Sequence, residues 1–214
     1  SNMRIIERDA FKETEISSFN IAGKVEMLEE GWCNGMNYLT NLTLSPLNQN
    51  FFYLEDRILV NSSKILLFAR RDIESIIIPD GVTNIGNYSF YSCKQLKSIR
   101  FDQDQQSSLD EIGEFAFSNC SSLETMSEFP SSLKRIEQFA FTCCNAIKSI
   151  SFLPSNESAS NLEEIGDNAF YCCDRLETIL RIPLSVKRIG KNAFRRSNML
   201  KSVTIAQFSL SIFH

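Results

Sequence analysis

The sequence predicts a single α/β solenoid: a curved parallel sheet in which each rung supplies one strand and one short helical turn. Three observations predict it. One motif recurs along most of the chain, an aliphatic residue, two polar residues, Ile-Gly, two residues, Ala-Phe, two residues, Cys, two residues, Leu, two residues and Ile. Residues 109–152 align without a gap on 162–205 with 20 of 44 positions identical, as duplication of a two-rung unit would leave them. Charges flanking the motif alternate in sign from copy to copy.

In chain order, Ile6, Ala10, Phe11, Thr14, Ile16, Phe19 and Ile21 form a partial copy, one residue short between Thr14 and Ile16. Val25, Leu28, Trp32, Cys33, Met36, Leu39, Leu42 and Leu44 keep every interval but replace Ala-Phe by Trp-Cys. Five clear copies follow, with Ile-Gly at Ile85-Gly86, Ile112-Gly113, Ile165-Gly166 and Ile189-Gly190, and Ile136-Glu137 in the third. That makes about seven repeats of 24 to 29 residues within 3–205, the plan of a leucine-rich-repeat solenoid.

Segments such as Ser98-Ile99-Arg100-Phe101 alternate outward and inward, so each rung ends in a half-buried strand. Eight such strands, ending near Ile21, Leu44, Ile78, Phe101, Phe129, Phe152, Ile182 and Ile205, would form one continuous concave ladder. The stretch from Gly86 to Cys93 suits a short helical turn opened by the glycine. Glu137 in place of that glycine puts the tight turn of its rung in question. Phe90, Phe117, Phe141, Phe170 and Phe194 should stack in a buried column, with Cys93, Cys120, Cys144 and Cys173 beside them as small buried hydrophobes.

The alternating charges run Glu74, Lys97, Glu124, Lys148, Glu177, Lys201, and Asp110-Glu111, Lys134-Arg135, Glu163-Glu164, Lys187-Arg188. Stacked rungs would then pair opposite signs, which fixes registry rather than marking a site. Three excursions follow strands: 102–108, 153–161 and 45–72. The last holds apolar runs from Arg57 to Val60 and Ile65 to Phe68 around Asn61-Ser62-Ser63, which predicts a β-hairpin. Ser1 and Asn2 resemble a tag-removal scar, and 206–214, with Phe208, Leu210, Ile212 and Phe213, reads as a C-terminal cap, a truncated next repeat or a self-association surface.

Composition narrows the partners. A net charge of −4 and a pI near 5.2 create no field for nucleic acid or an anionic membrane. No apolar run reaches the roughly 18 residues that cross a bilayer, and the charged start is unlike a signal peptide. Seven cysteines, including the adjacent pairs Cys143-Cys144 and Cys172-Cys173, show neither zinc-site spacing nor an evident pairing scheme. The only histidine is His214, at the end of the chain, which leaves no triad, and each glycine stands alone rather than in a phosphate loop. No metal, cofactor or catalytic device is expected. Sequons occur at Asn41, Asn61, Asn87, Asn119 and Asn156, and Asn119, next to the buried Cys120, suits a glycan least.

The motif Ile-Gly-x-x-Ala-Phe-x-x-Cys-x-x-Leu-x-x-Ile, together with the link Ile78-Pro79-Asp80-Gly81-Val82, resembles the BspA-like, or treponemal-type, leucine-rich repeats over residues 3–205. Leu28-Glu29-Glu30-Gly31-Trp32-Cys33 followed by the hairpin is similar to versions abundant in mucosal protist parasites. The resemblance implies a non-enzymatic surface antigen or adhesin, at the cell surface or secreted, that binds host matrix or other cells; on the strand face the ligand would be a protein or a glycan. It carries over no functional residue, because the motif is the scaffold. The outward strand positions Asn20, Thr43, Ile77, Arg100, Ser151 and Thr204 are the candidate partner-binding face, with Ile77 and Arg100 as its anchor. The alternative is a cytoplasmic protein–protein scaffold, which unpaired cysteines favour. An enzyme would need a pocket between the 45–72 hairpin and the sheet.

Overall fold

A computed structural model describes residues 2–102, 107–152 and 160–205. Over them the chain winds as a parallel β-solenoid of about eight turns. All eight expected strands are present, at Ser18–Ile21, Asn41–Leu44, Ser75–Ile78, Ser98–Phe101, Thr125–Met126, Ser149–Ser151, Thr178–Ile182 and Ser202–Ile205. They do not make one continuous ladder. Among the described residues they pair in three groups, with breaks between Leu44 and Ser75 and between Met126 and Ser149. The expected cap at 206–214 lies outside the described residues.

Continuity comes from a second ladder that the motif conceals. Two-residue strands at Asn84–Ile85, Glu111–Ile112, Arg135–Ile136, Glu164–Ile165 and Arg188–Ile189 pair in parallel, with Ile85, Ile112, Ile136, Ile165 and Ile189 in line. Each rung therefore has two strands, not one. The isoleucine and its polar neighbour alternate inward and outward for too few residues to read as a strand in the sequence.

Between these strands the turn segments contain no helix among the described residues. The N–H groups of Tyr88, Phe90 and Ser92 donate to the carbonyls of Glu114, Ala116 and Ser118 in the next rung, at 3.0, 2.8 and 2.9 Å. Those of Ser89, Tyr91 and Cys93 close locally on the carbonyls of Gly86, Tyr88 and Phe90. A helix would send successive N–H groups to carbonyls four residues back, whereas here every second one leaves for the neighbouring rung. Two left-handed residues four apart set up this alternation in each rung: Tyr88 and Ser92 (φ 60° and 58°), Phe115 and Asn119 (53° and 64°), Phe139 and Cys143 (58° and 59°).

The motif glycine is therefore not the residue that turns the chain. A Cβ on Gly166 would lie 2.6 Å from the Gln138 nitrogen, and one on Gly86 2.8 Å from the Leu66 carbonyl oxygen, so glycine is required because rungs touch there backbone to backbone. Glu137 leaves its turn intact: its N–H still donates to Ile112 O at 2.9 Å, and its carboxylate meets Arg135 at 3.3 Å.

Phe90, Phe117, Phe141, Phe170 and Phe194 stack as expected, with centroids 4.6, 5.0, 5.0 and 5.4 Å apart. The cysteine column is buried, and it does more than fill space. Cys120, Cys144 and Cys173 each donate to the carbonyl of Phe90, Phe117 and Phe141 in the preceding rung, at 3.2, 3.2 and 3.4 Å, and Ser197 does the same to Phe170 at 3.4 Å. A hydroxyl in the last rung is thus an isosteric donor. Burial pushes the Cys120 and Cys144 thiols well up, so they remain donors.

In the N-terminal turns Trp32 takes the alanine position and Cys33 the phenylalanine position, both fully buried. The indole of Trp32 packs between Phe19 and Phe68, its centroid 5.9 Å from each. The expected hairpin is present as Ile58–Asn61 and Ile65–Ala69, joined by a third antiparallel strand, Phe51–Leu54. Ile65–Ala69 then pairs with Asn84–Ile85, so the insertion prolongs the short-strand ladder.

Candidate ligand-binding face

The insertion that prolongs one ladder interrupts the other. Chain leaving Leu44 makes the three-stranded excursion and returns at Ser75, so the longer-strand face opens there into a cleft of about 450 Å³. Thr40, Asn41, Leu42, Thr43 and Leu44 form one wall, and Tyr53, Asp56 and Arg70 of the excursion form the other. A second hollow of about 330 Å³, lined by Arg57, Arg70, Asp72, Ile73, Glu74 and Ser75, adjoins it through Arg70.

Two features give the cleft recognition chemistry. The Arg70 guanidinium is held by Asp72 in a two-pronged contact, Nε to Oδ1 at 3.1 Å and Nη2 to Oδ2 at 2.7 Å, which fixes its plane. That bond keeps Arg70 above its usual pKa against the opposing effect of burial. The Tyr53 hydroxyl is buried and has no hydrogen-bond partner among the described residues. Burial pushes its phenol far above the ordinary range, so it stays a neutral O–H able to donate or accept.

The six sequence-predicted face residues distribute unevenly about this cleft. Thr43 lines it, and Asn20, paired with Thr43 across the strands, donates to the Thr43 hydroxyl at 2.7 Å. Ile77 and Arg100 lie side by side in register on the far side of the break, both outward, with Ile77 50% exposed. Ser151 and Thr204 belong to the third strand group, apart from the cleft. There Arg181, at φ 55°, bulges the Thr178–Ile182 strand, and its N–H donates to the Thr204 hydroxyl at 2.9 Å. Tyr53, Asp56, Arg70 and Asp72 were missed. The one available signal was that the longest excursion must open the ladder it leaves.

The charged columns serve registry, as expected. Glu74 meets Lys97 at 2.9 Å, Asp110 meets Lys134 at 2.7 Å, Glu163 meets Lys187 at 2.9 Å and Glu177 meets Lys201 at 3.5 Å, while Glu111 pairs with Arg135 and Glu164 with Arg188. The pairs lie at the surface, where water and salt screen them, so they add little to stability. Among the described residues no cluster of His, Cys, Asp and Glu is arranged to hold a metal, and no helix is long and apolar enough to cross a membrane.

Comparison with known proteins places this geometry. The family model of the BspA type leucine rich repeat region matches residues 1–67 and 66–201, in 6 copies. A sequence comparison with curated proteins gives no match. Among solved structures, a leucine rich cell surface protein from Faecalibacterium prausnitzii is similar at 26% identity and a TM-score of 0.82, over 95% of this chain and 51% of its own. The pneumococcal vaccine antigen PcpA has the same fold at 23% identity and a TM-score of 0.78, over 98% of this chain and 50% of its own. A T. pallidum leucine rich repeat protein follows at 26% identity and a TM-score of 0.58, over 73% of this chain and 68% of its own. The chain spans about half the length of the first two. A family model that covers nearly the whole chain, on a parallel solenoid with five clear copies of the motif, makes this chain a member of the BspA type leucine-rich-repeat family.

Proposed function

We propose that the chain is a non-enzymatic recognition module displayed at a cell surface, which holds a protein or glycan ligand on its longer-strand face. The observation that carries this reading is the cleft at the ladder break, lined by a fixed guanidinium, an unpartnered phenol and the side chains of Asn41 and Thr43, with the exposed Ile77–Arg100 pair on the far side of the break. Aromatic and arginine anchors next to aliphatic surface suit a binding site. The pocket that an enzyme would require does exist between the excursion and the sheet, but its polar groups suit recognition. Arg70 is committed to Asp72, and the lining holds neither histidine nor cysteine to serve as base or nucleophile. The match to a repeat family rather than a catalytic one, and the 26% identical cell surface protein, support the same reading.

Antibody staining of intact and permeabilised source cells tests the location. Signal on intact cells supports surface display; signal only after permeabilisation sinks it and favours a cytoplasmic scaffold using the same face.

A further inference from the structure

Five of the seven cysteines are buried; Cys143 and Cys172 are the two that are not. The motif hides the fact that these two belong together. Ile136 and Ile165 are register partners in adjacent rungs, and Cys143 and Cys172 each follow seven residues later. Both are left-handed, at φ 59°, and the Cys143 N–H donates to the Tyr171 carbonyl at 2.8 Å, tying the two turns together at this point. One and two rungs earlier, the same position holds Asn119 and Ser92, whose side chains hydrogen-bond at 3.0 Å. Side chains in this column therefore meet across rungs. Stacked rungs lie about 4.8 Å apart, within the Cα separation of about 4.4–6.8 Å that a disulfide spans. Burial, and after it the adjacent Cys172 thiol, push the Cys143 thiol up, while Cys172 also reaches Asp174 Oδ1 at 3.8 Å.

We propose that Cys143 and Cys172 form a cross-rung disulfide when the chain meets a disulfide oxidant such as oxidised glutathione. One of the two thiols loses its proton and attacks the oxidant, forming a mixed disulfide and expelling one glutathione thiolate. The second thiolate then attacks the protein sulfur of that mixed disulfide and expels the other. Two protein thiols are oxidised, one glutathione disulfide is reduced to two thiols, and the two protons pass to the leaving thiolates. The adjacent pairs Cys143-Cys144 and Cys172-Cys173 are not the partners, because Cys144 and Cys173 are buried and face Phe117 and Phe141. The bond staples two rungs without disturbing the core, and it is independent of any ligand.

The test is to equilibrate the reduced chain with oxidised glutathione at pH 8, count thiols in denaturant and map tryptic peptides. The thiol count should fall from seven to five, with peptides 136–148 and 149–175 joined and fragment ions placing the bond at Cys143 and Cys172. The oxidised chain should melt several degrees higher. Cys143→Ser should lose one thiol as a glutathione adduct on Cys172. Retention of all seven thiols, stable glutathione adducts on both residues of the unmodified chain, or a bond through Cys144 or Cys173 would overturn the proposal.

Discussion

Arg71 reaches across the junction between the inserted strands and the solenoid, and its Nη1 donates to the Ser89 carbonyl at 2.7 Å. The guanidinium is buried, lies 4.7 Å over the Phe68 ring, and also donates to the carbonyls of Met36, Ala69 and Tyr88. It bonds four carbonyls from three separate segments, so it joins the N-terminal core to the main one. Among the described residues no carboxylate pairs with it.

Arg71→Met should therefore remove four hydrogen bonds to buried carbonyls, of which Tyr88 and Ser89 keep the N–H groups of Tyr91 and Ala69, and cost about 3 kcal/mol or more. Arg71→Lys should rescue little, because three donors on a flexible stem do not reproduce a planar fork. Thermal unfolding followed by circular dichroism checks both, with a fall in Tm of roughly 6–12 °C for the methionine variant.

Gly166→Ala should be severely destabilising, by about 3 kcal/mol, because the new Cβ would collide with the Gln138 and Glu137 backbone at 2.6 Å. Gly81→Ala, where nothing lies within 4 Å, should stay within about 0.5 kcal/mol of the parent. Denaturant unfolding of the two variants separates close approach from backbone freedom as the reason for the motif glycine.

The cysteine column predicts an ordering. Cys144→Ser keeps a donor for the Phe117 carbonyl, as Ser197 does for Phe170, and should cost about 1 kcal/mol. Cys144→Ala leaves the Phe117 carbonyl with only the Cys120 N–H, at 3.2 Å, and opens a small void, for about 2 kcal/mol. Equal losses, measured by urea midpoint at constant slope, would show that the sulfur only fills space.

Glu137 stands where the other four clear copies of the motif have glycine. Burial, then Glu111, push its carboxyl up, and Glu164 adds to this against the pull of Arg135. A carboxyl whose folded pKa is raised binds protons more readily in the native state, so stability is lost as pH rises through the folded pKa and regained below the unfolded value. Glu137→Gln should thus melt slightly higher than the parent at pH 7. The difference should shrink as pH falls through the carboxylate range, and a Tm series from pH 7 to 3.5 reads it.

The rung order, the phenylalanine and cysteine columns and the charge registry were legible because side-chain pattern alone dictates them: Phe90 and Phe117 recur at one spacing, and Glu163 needs Lys187 opposite it. The turns were not. Tyr88 and Ser92 adopt left-handed angles that their residue types give no reason to expect, and only the carbonyls of the next rung explain them. The face was legible in part. Thr43, Ile77 and Arg100 follow from strand alternation, whereas Tyr53 and Arg70 depend on how the inserted strands fold back, which no period encodes.

The most direct test of ligand recognition is a binding screen of the purified chain against matrix proteins and a glycan array, repeated with Arg70→Ala, Tyr53→Phe, Ile77→Asp and, as a distant control, Lys187→Ala. Affinity for a ligand found this way should fall about tenfold or more, some 1.4 kcal/mol, on loss of Arg70 or Ile77, fall measurably without the Tyr53 hydroxyl, and stay unchanged in the control. A ligand bound equally well by all four variants would contradict it and move the binding surface away from the ladder break.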